Sequence, residues 1–379
     1  MTFPSTQKAI HIPAFVDVIT TAKTLTKNTC TYKHAHKQNH ADLQVSALPF
    51  PKTTPSTLLI RVTHISPTHV DLLYAKGLHQ NNRRHAKPPF TLGMDFAGIV
   101  VKVPTATPHS NNTDFKINDK VYGSAFGAFA QFIALDSKSA GGVRRLPRGL
   151  SMRDACSIGA SGATGLGSWL RAGGVKKGSW VLVTGATGGL GVMAVQIAKA
   201  MGGRVIALVG KEKQKTDMLK SIGAEVCVRY DQPGWEDQVK EATDGGEGVD
   251  IVYDSVGMIE SGLKCCAYGG QVVVVGFAGR GGDIEKVRAN RVLLKSAAVL
   301  GYRFGEHGRR DPEAVARIWR DFDGMVADGS IKAVVYNVKY TGLDDVSRAM
   351  LDLAERKVWG RAVITVADED EILRDRSKL

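Results

Sequence analysis

The chain has 379 residues, 43% of them hydrophobic and 23% charged, with a formal net charge of +13. That is an ordinary globular composition, long enough for two domains with full cores. No apolar run reaches the roughly 20 residues of a membrane span, no signal-peptide pattern opens the chain, and five cysteines without framework spacing argue against a secreted disulfide scaffold. The basic residues are scattered rather than interleaved with aromatics, so a solvated basic surface and an anionic cofactor explain the charge more simply than nucleic acid.

Residues 7–140 read as β-rich. Leu58-Leu59-Ile60-Arg61-Val62 and Gly98-Ile99-Val100-Val101-Lys102-Val103 are short strand-like runs, with Pro67, Pro88 and Pro89 breaking the sequence between them. Residues 23–40 are polar and carry His34, His36 and His40 without metal-ligand spacing, which points to a surface insertion. From residue 180 the pattern becomes alternating. Trp180-Val181-Leu182-Val183 stops at Gly185-Ala186-Thr187-Gly188-Gly189-Leu190-Gly191, and an apolar helical pattern follows at once. A dinucleotide-binding turn needs that order. Gly185 makes the tight turn, Gly188 and Gly189 remove side chains where a pyrophosphate approaches, and Gly191 lets the helix pack on the sheet. Thr187 and Leu190 belong to the same cradle, where free N–H groups and the helix dipole face the phosphates.

Further strands are expected at 204–209, 225–230, 249–254, 271–275 and 297–300, giving an α/β, doubly wound parallel sheet. A helix over 312–326 leads to a strand ending at Val363-Ile364-Thr365-Val366. The expected domains are a β-rich catalytic domain over 1–152, a dinucleotide-binding Rossmann domain over 153–305, and the return of the catalytic domain with a tail over 306–379. Cys265 and Cys266, adjacent in a predicted helix, are expected as packing thiols. The charged tail ends Ser377-Lys378-Leu379, which reads as an address for the peroxisomal import receptor.

The cofactor's identity turns on the second strand of the sheet. Sites that prefer NAD place Asp or Glu near its end to bind the ribose hydroxyl. Here the strand ends Leu208-Val209-Gly210-Lys211 with no acid at the tip, Lys211 and Lys215 follow, and Tyr230 closes the next strand. Such a set attracts a 2′-phosphate, so the expected cofactor is NADPH. Glu212 counts the other way, and the lysines also fit a solvated helix start.

The glycine turn at 185–191, Val252-Tyr253-Asp254-Ser255-Val256-Gly257, Gly269-Gly270-Gln271-Val272-Val273 and Arg309-Arg310-Asp311-Pro312 together resemble the medium-chain dehydrogenase/reductase superfamily. The likeness is to its zinc-free branch, the quinone oxidoreductases related to ζ-crystallin. It implies a chaperonin-10 (GroES)-like catalytic domain beside the Rossmann domain, with the active site in the cleft between them. Where zinc-dependent members carry Cys-His-x-Asp, Gly-His-Glu and a further cysteine, this chain has Thr68-His69-Val70-Asp71, Gly93-Met94-Asp95 and Ala160, so no metal is expected. Without a Lewis acid, a conjugated acceptor such as a quinone or an enone is the easier hydride target. An enoyl-thioester reductase and a non-catalytic NADPH-binding protein are the alternatives. By resemblance, Thr164 lies on the nicotinamide side, and Ser255, Gly276, Phe277, Ala278, Tyr302 and Arg303 flank the cofactor. Arg361 would reach toward cofactor or substrate. Tyr74 and His79 are the expected proton donors, although Leu73 stands at the first tyrosine position of the relatives. The resemblance also implies a homodimer paired through the edge of the cofactor-domain sheet.

Overall fold

The computed structural model describes residues 3–16, 43–83, 86–105, 115–136, 142–279 and 285–374. The histidines of 23–40 and the terminal Ser377-Lys378-Leu379 lie outside the described residues. The chain divides into two compact units, Met1–Ala160 with Val335–Leu379, and Ser161–Val334. Among the described residues no helix is long and apolar enough to cross a membrane.

The first unit is built on β-strands. β1 (Thr6–Ile12) lies between β2 (Val45–Pro49) and β4 (Phe90–Thr91). β3 (Thr57–Ser66), with sequence TLLIRVTHIS, is the spine of a second sheet. It is β-branched and buried along almost its whole length, as a strand covered on both faces should be. That sheet runs β15 (Tyr340–Thr341), β16 (Ile364–Thr365), β3, β5 (Asp95–Lys102), β6 (Lys120–Ser124), β8 (Val143–Arg145), with β7 (Phe132–Asp136) also on β3. β3 pairs antiparallel with β5, and the register sets Ser66 opposite Asp95. Helix α1 (His69–Ala75) starts at a capping box: Asp71 N–H bonds to Thr68 Oγ1, and the Asp71 carboxylate takes the Thr68 N–H in return.

Helix α2 (Met152–Arg171) is broken at Gly159, whose φ of 44° and ψ of −145° are not helical. A Cβ at Gly159 would stand 2.9 Å from the Asp95 carboxylate, so only glycine leaves that carboxylate its seat.

The second unit is a six-stranded parallel sheet among the described residues. Its order is β11 (Val226–Arg229), β10 (Arg204–Val209), β9 (Trp180–Val183), β12 (Val249–Asp254), β13 (Cys266–Val274), β14 (Ala298–Gly301). The order reverses between β9 and β12, the switch point at which such sheets bind ligands. β9 and β10 are apolar runs buried almost throughout, the mark of strands with helices on both faces. Helix α3 (Gly189–Ala200) follows β9, and α4 (Lys213–Ser221) follows β10.

Two expectations need correction here. Cys266 opens β13 and only Cys265 ends the preceding helix, although both are buried free thiols. The chain returns to the first unit at Val335, not near 306. The intervening helix α9 (Pro312–Ala327, after α5 Trp235–Glu241, α6 Ile259–Cys265, α7 Ala289–Leu294 and α8 Phe304–Arg310) buries Ile318, Trp319 and Phe322. The Phe322 ring fills the space where Gly162 would carry a Cβ, 1.9 Å away. Burial of each of those side chains contributes about 2 kcal/mol, which holds the helix to the second unit. A side-chain clamp closes the exit: Gln196 on α3 donates to Lys332 O at 3.1 Å and accepts from Lys332 N at 2.8 Å.

Candidate cofactor and active site

At the carboxyl ends of β9 and β12 the chain makes the turn its glycines predicted. Gly185 has φ 57°. A Cβ on Gly191 would fall 2.2 Å from Gly185 O, so the two glycines let the helix start against the turn. Gly188 is the N-cap of α3 and makes no side-chain cap hydrogen bond. A Cβ there would meet nothing nearer than Gly185 O at 3.5 Å. The first-turn N–H groups at Gly189, Leu190 and Gly191 have no helical carbonyl to bond. This bare, dipole-positive helix start fits a pyrophosphate.

The turn is held from behind by Asp254, a residue whose place in the site the sequence reading missed. Its carboxylate accepts from Thr184 Oγ1 at 2.7 Å and from the backbone N–H of Val256, Gly257 and Met258 at 3.2, 3.1 and 2.8 Å. Burial nevertheless pushes its pKa above the usual carboxylate range, the hydrogen bonds opposing. Ser255 joins the same staple, its Oγ donating to Thr184 O at 3.2 Å. Gly276 and Ala278 follow β13 and bond back through their N–H groups to Asp254 O and Ser255 O. Phe277, between them, is exposed. The motif around Asp254 was visible in sequence, but its geometry needs Thr184, 70 residues away.

The tip of β10 differs from its expectation. An acid does stand there: Glu212 folds back so that Oε2 lies 2.8 Å from the position a Cβ on Gly210 would take, with Tyr230 Oη 3.4 Å from the same point. Lys215 Nζ lies 3.9 Å from Glu212 Oε1, and the lysine side chain is mostly covered. Lys211 is exposed, with Asp231 as an electrostatic neighbour. Two residues past the strand, Gly210 and Lys211, separate Glu212 from the end of β10, and its path over Gly210 depends on turn geometry that spacing does not encode.

Tyr302 and Arg303 lie past β14. Tyr302 turns inward rather than to the tips: its hydroxyl sits 2.0 Å from where Gly167 on α2 would bear a Cβ. Burial raises that phenol to about 12. Arg303 precedes α8 and pairs with Glu306 at 3.8 Å. Thr164 is half-buried on α2, and its carbonyl accepts from Ser168 Oγ at 2.7 Å.

In the first unit, Tyr74 and His79 are brought together. Their rings lie tilted against each other at 4.2 Å between centroids, and Phe126 meets Tyr74 edge-on at 5.1 Å. Asn81 orients both: its side-chain amide donates to Tyr74 Oη at 3.0 Å, and its N–H donates to His79 Nδ1 at 3.2 Å. A phenol can accept one hydrogen bond and donate another, so the cluster can hold a proton at Tyr74 Oη. Asn81 carried no sequence signal.

Arg361 is committed elsewhere than expected. It is only 6% exposed and forms an ion pair with Asp95, 5% exposed, while its Nε donates to Ser66 Oγ at 2.9 Å. Ser66 and Asp95 are register partners on β3 and β5, so one guanidinium grips two adjacent strands. Asp71 lies in the same electrostatic neighbourhood. Burial pushes its carboxyl up to about 7, Asp95 adding to the rise, while the Thr68 bonds and Arg361 act against it. Among the described residues no group of three or more His, Cys, Asp or Glu is placed to hold a metal.

Comparison with known proteins matches this architecture. Residues 54–147 match the model of the alcohol dehydrogenase GroES-like domain, and residues 189–320 that of the zinc-binding dehydrogenase. The chain is 30% identical over 301 residues to quinone oxidoreductase-like protein 2 homolog of Nematostella vectensis, covering 78% of this chain and 77% of that one. A probable oxidoreductase from Mycobacterium abscessus superposes with a TM-score of 0.76 at 26% identity, over 96% of this chain and 99% of the other. A mycobacterial protein solved in complex with NADPH superposes equally well, with a TM-score of 0.76 at 23% identity over 95% of this chain and 99% of that one. With its GroES-like first unit, its 3-2-1-4-5-6 sheet and the glycine turn at the switch point, the chain belongs to the quinone oxidoreductase branch of the medium-chain dehydrogenase/reductase superfamily.

Proposed function

We infer that the protein is an NADPH-dependent, zinc-independent reductase of conjugated carbonyl compounds, quinones or enones. The observation that carries the reading is the fate of the residues standing where zinc ligands would be. Thr68 caps α1, Met94 packs against the apolar core of the first unit, Asp95 is spent on Arg361, and Asp71 is spent on Thr68. A zinc ion needs three or four donors held together, whereas Thr68 and Asp71 bond each other, Asp95 pairs with Arg361, and Met94, packed on the core, offers no such donor. The bare helix start at Gly188, and Lys215 with Tyr230 beside Gly210, support a phosphorylated dinucleotide. The solved relative with NADPH lends the same support. Bound NADPH supplies the hydride. The chain's part is to seat the pyrophosphate on α3, to fix the turn through Asp254 and Thr184, and to hold a proton at Tyr74 Oη for the oxyanion that develops on a reduced carbonyl.

The test is NADPH oxidation with a quinone, a short enone and a 2-enoyl-CoA, each with and without a chelator. Turnover of the quinone or enone that survives chelation is expected. Turnover of the CoA ester alone would replace this reading with the enoyl-thioester one, and NADPH binding without turnover would make the protein non-catalytic. Loss of activity on chelation, restored by zinc, would overturn the metal independence. Two further assignments belong to the same reading. Ser377-Lys378-Leu379 directs the protein to peroxisomes, so deleting it should leave activity intact and abolish import. The protein pairs with a second copy through β14, whose outer edge is unpaired among the described residues and flanked by exposed Leu293, Leu294 and Val299. Sedimentation as a monomer would refute that pairing.

A further inference from the structure

We propose that Glu212 sets the balance between the two nicotinamide dinucleotides, by holding in the free protein the seat that a 2′-phosphate must take. The inference rests on the dinucleotide reading above and names the residue that tunes it. Three side chains converge at the tip of β10. Glu212 Oε2 and Tyr230 Oη lie 2.8 and 3.4 Å from one point, the absent Cβ of Gly210, and Lys215 Nζ faces Glu212 Oε1 at 3.9 Å. Two further cations nearby are already engaged: Lys213 with Asp217 at 2.5 Å and Arg229 with Asp231 at 2.8 Å. Glu212 is the N-cap residue of α4, yet its side chain makes no capping bond, so helix formation does not account for where the carboxylate goes.

The chemistry of the two cofactors divides at this point. A 2′-hydroxyl can donate to the Glu212 carboxylate. A 2′-phosphate carries about two negative charges and cannot share Lys215 with that carboxylate without repulsion. For the phosphate to reach Lys215 and Tyr230, Glu212 must leave. The protein therefore binds NADPH less tightly than its lysines alone would allow, and NADH more tightly. Because the carboxylate is about half exposed, solvent screens the effect, and a change of about 5-fold per cofactor is the scale to expect.

The experiment is titration of the full-length protein with NADPH and NADH, followed by nicotinamide fluorescence, for wild type, Glu212→Gln, Lys215→Met and the double variant. Melting temperatures verify that each is folded. Glu212→Gln is expected to strengthen NADPH binding about 5-fold and to weaken NADH binding about 5-fold, moving the affinity ratio by about 25-fold. In the Lys215→Met background the gain on NADPH should shrink below about 2-fold, because the contested cation is gone. An unchanged ratio in Glu212→Gln, or both affinities moving the same way, overturns the proposal while leaving the dinucleotide reading intact. Wild-type protein that binds neither cofactor overturns both.

Discussion

Each unit buries a carboxylate close to a glycine, and the two neutralise it by different means. In the second unit Asp254 is surrounded by donors from Thr184 and the backbone of residues 256–258, with no cation in that set. In the first, Asp95 lies against Gly159 and is paired with Arg361. Backbone donors come with the turn that follows β12, so most of the Asp254 cradle is local. Arg361 arrives from 266 residues further along the chain, so its pair closes only when the returning segment is in place. A local device fixes the shape of a loop, whereas a long-range one fixes the return of a chain.

The sharpest way to break this comparison is Arg361→Ala. It leaves Asp95 buried without its cation and should cost about 3–5 kcal/mol, read from urea unfolding of the purified protein. A loss below about 1 kcal/mol would mean that Asp95 finds other donors, as Asp254 does. Next is Asp254→Ala, which strands the Thr184 hydroxyl and three amides. About 2–3 kcal/mol is expected by the same measurement, with Asp254→Asn costing less because one acceptor remains. Gly191→Ala asks whether the turn in front of Asp254 tolerates any shift. Its Cβ would meet Gly185 O, which should cost about 1–3 kcal/mol. NADPH affinity, measured by fluorescence titration, should fall by about 10-fold or more as the cradle moves.

The last effect concerns pH. The folded-state value of Asp71, near 7, lies above the value of about 4 for an unfolded aspartate, so the folded protein holds the proton longer. The stability this confers is fully present below about pH 4 and is lost as pH rises toward 7, with a slope of at most about 1.4 kcal/mol per pH unit. Asp71→Asn should remove that slope from a series of unfolding curves. An unaltered slope would show that Asp71 ionises normally beside Asp95 and Arg361.

The sheet was legible in the sequence because β9, β10 and β14 are short, mostly apolar runs and the turn after β9 has its glycines in order. The NADPH-type turn could be placed for the same reason. What stayed hidden were contacts that join distant segments. Arg361 looked like a cofactor residue because its position matches one in relatives, but the register of β3 and β5 gives it Ser66 and Asp95 as partners. Tyr302 looked like a cofactor neighbour, yet Gly167 opens a slot for it on α2. Glu212 was noticed, but the direction of its side chain is decided by a three-residue turn. Helix α9 was seen, but Phe322 against Gly162 settles which unit owns it.

The clamp between Gln196 and Lys332 has a consequence for ancestry and for engineering. A side-chain amide that pairs with a backbone amide in both directions acts as one more rung of a ladder. It ties the last residues of the second unit to that unit's own first βα element. The cofactor module thus fastens its own end before the chain departs, which is what a transplantable cassette requires. A chimera that exchanges the block Ser161–Val334 between relatives would carry its fastening along, whereas one cut at residue 306 would leave α9 and the fastening behind.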